Sequence, residues 1–260
     1  MFKILQYSFY DLIRSRWSYV YFLFYLVLGL ALLFLNNSVS KSVITLMNII
    51  IVLTPMIGTI FGVMYFYSSR EFTELLLAQP IKRTTIFIGQ YLGVSLSLSL
   101  SLVLGLGIPF TIYGLWQSSE LANFGLLLAS GTFLTFIFVA ISANIALLNE
   151  NRIKGFGYAI LIWLFLAVIY DGLFLISLVV FEDYPLDKLA LVATALNPID
   201  LSRILILLKL DISALLGYTG AVFQKFFGTN AGMIVSFFIL LVWTLIPTLF
   251  IRRIAVKKDF

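Results

Sequence analysis

Asp171 stands beside Tyr170 near the middle of an apolar run at 156–181, and no other aspartate lies so deep in such a run. An ionised carboxylate at that depth is costly enough that it must be paired or held protonated. Two uses fit it. Either it is a gate, a proton-linked switch or a substrate contact, or it is a neutral carboxyl hydrogen-bonded to a neighbouring helix, where Asn48, Asn144 and Ser142 are the candidate partners.

A second polar feature is the stretch at 69–93, SREFTELLLAQPIKRTTIFIGQYLG, which interrupts otherwise apolar sequence. Arg70, Glu71, Thr73 and Glu74 precede Leu75, Leu76 and Leu77, and Pro80 breaks the segment before Ile81, Lys82 and Arg83. This order predicts a short amphipathic helix, a sharp turn, and a helix that re-enters the apolar phase at Thr84 or Thr85. Three leucines rimmed by charge make an apolar knob of the kind that meets another protein.

Most other chemistry is excluded by residue type. The chain has no histidine and no cysteine, which removes disulfides, thiolate and imidazole chemistry, HExxH zinc sites and Ser-His-Asp triads. It has no GxxxxGK[ST] loop, so ATP is not bound by that route. A single deep aspartate disfavours proteolysis by paired aspartates. Met47, Met56 and Met64 are nine and eight residues apart, which at about 100° per residue does not stack them into a soft-metal path. A chain without catalytic, metal or cofactor site is the expectation.

These groups must be positioned by helices in a bilayer. Of the 260 residues, 62% are hydrophobic and 11% charged, with mean hydropathy +1.08, far from a soluble balance. Spans of about 20 apolar residues with no strand alternation predict an all-α integral membrane protein. Six spans are read at 17–35, 43–67, 85–113, 123–148, 156–181 and 231–251, within one transmembrane domain covering 1–260. Residues 1–16 form an interfacial helix with Phe2, Leu5, Phe9, Leu12 and Ile13 on its apolar face. Residues 68–84 are the polar segment between spans two and three. Residues 182–230 form an outer section of two short helices at the membrane surface or dipping partly in. Asn197 caps the first of these and Pro198 opens it, with Ile204, Leu205, Leu207 and Leu208 on its apolar side; Asp211 and Gly228 bound the second.

The Gly58-x-x-x-Gly62 spacing and Ser95, Ser97, Ser99 and Ser101 read as small-residue packing within one subunit rather than as a dimer seam or a pore. The net charge of +5 is not that of a nucleic-acid binder, because the basic residues gather at span ends where they meet lipid headgroups. On the side of both termini and the polar segment lie 12 of the 17, so the positive-inside rule puts that side in the cytoplasm and 182–230 outside.

The order Glu-Leu-Leu-Leu, two residues, Pro, an aliphatic residue and a basic pair, then Gly89-Gln90-Tyr91-Leu92-Gly93 opening a span, resembles the coupling segment of permeases in the type-2 exporter superfamily of ABC transporters. Tyr170-Asp171, the run Asn197-Pro198-Ile199-Asp200-Leu201-Ser202-Arg203 and the glycines at 217 and 220 resemble, more closely, the NosY-like permeases of the nitrous oxide reductase maturation system. The superfamily pattern is departed from at two places: Glu71-Phe72 replaces a common Gly-Thr pair, and Gln90 stands where lysine is common. The resemblance implies a homodimer in the bacterial inner membrane and two copies of an ATP-binding cassette subunit that holds ATP and magnesium. It also implies a periplasmic copper-delivery protein resembling NosD. It assigns Glu71, Glu74, Leu75, Leu76, Gln79, Pro80 and Ile81 to contact with the ATPase, and Asn197, Pro198, Asp200 and Arg203 to the outer partner region. Alternatives are an exporter of a lipid, drug or ion within the superfamily, and a proton-coupled secondary transporter using Asp171.

Overall fold

The structure is a computed structural model that describes residues 2–181, 187–209 and 230–257. The short helix expected between Asp211 and Gly228, with Gly217 and Gly220, lies outside the described residues. In chain order the helices are α1 (Phe2–Arg14), α2 (Arg16–Asn36), α3 (Val39–Ser68), α4 (Arg70–Leu77), α5 (Arg83–Ile112), α6 (Leu121–Leu148), α7 (Arg152–Leu164), α8 (Tyr170–Val180), α9 (Asp187–Ala195), α10 (Pro198–Lys209) and α11 (Asn230–Lys257). No strand occurs among the described residues. Six stretches are long and apolar enough to cross a membrane: Ser18–Asn36, Val39–Ser68, Arg83–Ile112, Leu121–Leu148, Arg152–Ser177 and Gly232–Lys257.

The fifth of these is not one regular helix. Between α7 and α8 the residues Phe165–Ile169 form a π-helical turn, which widens the backbone just before Tyr170 and Asp171. Nothing in the composition of that stretch marks the bulge. Its use emerges from what docks against it.

α5 is the central helix, lying against α1, α2, α6 and α11, and most of its apolar window is buried. The fifth stretch is the opposite case, with only 11% of its window buried within the chain. Close approach around α5 and α3 rests on residues without side chains. A Cβ on Gly62 would stand 2.8 Å from the Ser142 Cβ of α6, and one on Gly93 would stand 2.6 Å from the Ser8 Cβ of α1. The Gly58/Gly62 face is thus spent on packing α3 against α6 inside one chain. Ser95, Ser97, Ser99 and Ser101 are likewise all buried among neighbouring helices.

α1 turns into α2 at Ser15, whose extended backbone and Oγ, 3.3 Å from the Ser18 N–H, cap the new helix. Its buried stripe is Ile4, Ser8 and Leu12, one step round from the apolar face read from the sequence. Leu5, Phe9 and Ile13 are half-buried and Phe2 is exposed. The shift follows from Gly89 and Gly93, which form a shallow seat that takes Ile4 and Ser8 rather than bulkier side chains.

Gly93→Val is expected to lower the unfolding temperature of the purified chain, with an overpacking cost of about 1–3 kcal/mol as α1 is pushed off its seat. Gly107→Ala on the same helix has open space at its Cβ and is expected to be neutral or slightly stabilising. Thermal unfolding in detergent of the two variants side by side checks this.

Candidate functional site

Two polar places stand out from the apolar bundle, one at the end that carries α1 and α4 and one deep within it. At the first, α4 is amphipathic because its charged and apolar residues alternate with helical period. Glu71 and Glu74 point out, with Glu74 accepting a hydrogen bond from Arg70 Nε at 3.1 Å. Leu75 is 68% exposed, Leu76 and Leu77 are half-buried, and Leu77 packs on the core. The apolar knob is therefore mainly Leu75. Gln79 and Pro80 are exposed beside it, and Ile81 is half-buried where the chain turns towards α5.

The inner face of α4 is fastened at two points. Gln90, fully buried on α5, donates through Nε2 to Thr73 Oγ1 at 2.8 Å, and Thr73 in turn donates to the Ser69 carbonyl at 2.8 Å. Phe72 stacks on Tyr7 of α1 with ring centroids 4.4 Å apart. Two residues that depart from the superfamily pattern thus meet their neighbours here: Phe72 touches α1 and Gln90 touches α4.

Beside α4 a recess of about 110 Å³ is lined by Tyr67, Arg70, Thr73, Glu74, Asn149 and Glu150, among others. Its far wall is the turn between α6 and α7. Tyr67 at the end of α3 donates to the Asn149 carbonyl at 2.8 Å, and Asn151 caps α7 through the Ile153 and Lys154 N–H groups. The ends of α3 and α6 and the start of α7 are joined at one place, next to the exposed face of α4.

The second place is built by α9 and α10, which of the two arrangements expected, at the surface or dipping in, take the second. Asn197 donates to the Leu166 carbonyl at 2.8 Å, in the π-helical turn, and Trp243 of α11 donates to the Ala195 carbonyl at 3.0 Å. Leu166 and Trp243 each stand near the middle of their apolar stretches. α9 and α10 are therefore a re-entrant hairpin whose tip reaches mid-depth. α10 lies against α3, α6, α9 and α11, and Ile199, Leu201 and the whole run from Ile204 to Leu208 are buried. A helix whose apolar residues are covered on every side is packed inside the bundle and not laid on its surface.

Asn197 holds the tip with every atom of its amide. Its Oδ1 accepts from the Ile199 N–H at 3.1 Å, and its Nδ2 donates both to Leu166 and to Asp200 Oδ2 at 2.8 Å. Pro198 follows at the first helical position, where no N–H is missed. Arg203 then donates through Nη1 to Asp171 Oδ2 at 2.5 Å. The same nitrogen lies 3.3 Å from Asp200 Oδ1. Tyr170 donates to the Ala193 carbonyl at 2.7 Å, tying α8 to α9.

Asp171 therefore pairs with Arg203 and not with the three partners expected. Asn48 is exposed on α3, Ser142 donates to the Thr59 and Phe138 carbonyls, and Asn144 donates to the carbonyls of Ala140 and Pro247. Asp171 is about 8 Å further along its helix than Leu166, at 1.5 Å per residue, so it sits away from the midpoint but within an apolar core roughly 30 Å thick. Asn197, Pro198 and Asp200 are buried and shape the hairpin from inside the bundle. Tyr7, Tyr67 and Leu166 are contributors that sequence reading left out, and Phe72, Thr73 and Gln90 are ones it named without a contact.

Thr73→Val leaves the buried Gln90 amide without an acceptor, and its Oε1 already lacks a donor. The expected loss is about 1–3 kcal/mol. Adding Gln90→Leu is expected to recover most of that stability, and proteolysis within α4 reports whether the helix has come loose in either variant.

No protein-family model matches the chain. It is 24% identical over 220 residues to a protein of Pseudomonas aeruginosa named as a probable ABC transporter permease protein NosY, a match that covers 78% of this chain and 80% of that protein. Six helices long and apolar enough to cross a membrane fit a permease. The chain is a multi-pass helical membrane protein similar along most of its length to an ABC transporter permease.

Proposed function

We propose that the chain is the membrane-spanning permease subunit of an ABC transporter in a bacterial inner membrane, with both termini cytoplasmic. It performs no catalysis. ATP and magnesium are held by separate ATP-binding cassette subunits, one docking on α4 of each of two copies of this chain. Glu71, Glu74, Leu75, Leu76, Gln79, Pro80 and Ile81 form the docking face. Motion received there passes through the bundle to the re-entrant hairpin and on to a periplasmic copper-delivery protein resembling NosD, in copper-site maturation of nitrous oxide reductase.

The observation that carries this reading is the two-sidedness of α4. Its outer side presents Leu75 rimmed by Glu71, Gln79 and Pro80, while its inner side is fastened to α5 by Gln90 and to α1 by Phe72. A partner that pushes on Leu75 moves α5 rather than bending a loop. The copper role draws its support from the 197–203 run and from the name of the Pseudomonas relative alone.

Pairing of two copies is supported by the thinly covered fifth stretch. Asp171 and Arg203 keep 29% and 28% of their side-chain surface uncovered at a depth where hydrocarbon would surround them. Charged groups there face protein or an aqueous cavity, not lipid. A second copy laid against this side covers them, whereas the fully apolar ridge of Tyr19, Val20, Leu23, Phe24 and Val27 on α2 suits lipid.

Leu75→Asp is expected to abolish co-purification of the chain with its ATP-binding subunit without lowering its unfolding temperature. Leu75 is the cleaner position because Leu76 is half-buried and its aspartate variant also disturbs packing. An undiminished complex with Leu75→Asp rules out docking at α4.

A further inference from the structure

The tip of the hairpin brings two carboxylates and one guanidinium together, and among the described residues no other charged group pairs with them. Asp171 Oδ2 and Asp200 Oδ1 approach the same Arg203 nitrogen, at 2.5 and 3.3 Å. Only the first is aligned as a hydrogen bond. Asp200 is 6% exposed, its Oδ2 is taken by Asn197, and its Oδ1 is buried with no hydrogen-bond donor. The two carboxyls thus converge on one guanidinium nitrogen from two helices. Neither orphaned oxygen nor facing carboxylates are stable away from water when both groups are ionised.

The surrounding helices do not balance the charge. α6 contains no acidic or basic residue, the single one on α3 is Lys41 in its first turn, and Arg252, Arg253 and Lys257 stand in the last two turns of α11. α8 contributes only Asp171 itself and Tyr170, whose hydroxyl is donated to Ala193. On α9, Asp187 and Lys188 are at the start of the helix, about 10–12 Å from the tip at 1.5 Å per residue, and on α10 Lys209 is at the far end. Fully ionised, the cluster carries one uncompensated negative charge.

We propose that Asp171 and Asp200 together hold one exchangeable proton, which makes the hairpin tip a proton-binding site inside the membrane. The proton sits on the orphaned Oδ1 of Asp200 and turns it into an O–H that donates to Asp171, while Asp171 remains the anion paired with Arg203. The bond links α10 to α8 directly. When the proton leaves, two carboxylates face each other across a single guanidinium, and the hairpin is pushed from the fifth stretch. In the single chain, access is through the uncovered part of Asp171 and Arg203. The site stands whether or not the chain works with an ATPase.

The sign of the pH effect follows from linkage. The folded chain holds a proton that the unfolded chain, with ordinary carboxylates, has lost at neutral pH, so stability falls as pH rises through the value at which the folded site releases it. Infrared difference spectra of the wild-type chain in nanodiscs are expected to show a protonated-carboxyl stretch at neutral pH that disappears on alkalinisation. Asp200→Asn and Asp171→Asn each remove it, because the remaining carboxylate is then neutralised by Arg203. The unfolding temperature of wild type falls with rising pH and that of Asp200→Asn stays flat. Absence of the stretch in the wild-type chain at neutral pH overturns the proposal, and so does a stretch that survives in both variants. Recovery of alkaline stability by added sodium or potassium, with no protonated carboxyl present, identifies a monovalent-cation site and also overturns it.

Discussion

A polar group surrounded by hydrocarbon must find its partner within the protein, and in this chain two buried side-chain amides satisfy that demand at the places that matter most. Asn197 caps α10 and reaches the Leu166 carbonyl in the π-helical turn. Gln90 does the corresponding work at the other place, reaching from α5 to Thr73 of α4. Single hydrogen bonds between helices in a bilayer contribute only about 0.6–2 kcal/mol. Asn197 makes three in one place, two that shape the start of α10 and one that crosses to the fifth stretch.

These two fastenings set the mechanical logic. α4 is fixed to α5, α5 packs on α6 and α11, and α10 is wedged between α3, α6 and α11. Asn144 of α6 also donates to the carbonyl of Pro247, joining α6 to α11 near the end where α4 lies. These contacts form a continuous route of packed helices from α4 to the hairpin.

Much of this was legible in the sequence because long apolar runs and helix-breaking residues have few interpretations. All six spanning stretches, the short helix before Pro80, and the Asn197-Pro198 start of α10 follow from hydropathy and capping chemistry. What was hidden depends on contacts across the chain. α10 is too short for a routine span, which left a surface position and a partial dip both open, and the burial of Ile199, Leu201 and Ile204 to Leu208 against other helices is what distinguishes them. The pairing of Asp171 with Arg203 spans 32 residues and two helices, and no local pattern announces it. The π-helical turn is not announced by the Phe165–Ile169 composition, and its contact with Asn197 lies 31 residues away in the sequence.

The central claim is that motion entering at α4 arrives at the hairpin. Because the chain contains no cysteine, spin labels can be placed at will; Leu196→Cys at the tip and Leu104→Cys on α5 are both exposed positions. The measurement is the distance between them in the complex with the ATP-binding subunit, before and after trapping of ATP. A change in the wild-type background that is lost when Thr73→Val and Gln90→Leu uncouple α4 from α5 is the predicted result. A tip that responds equally in both backgrounds, or not at all while α4 moves, contradicts the account.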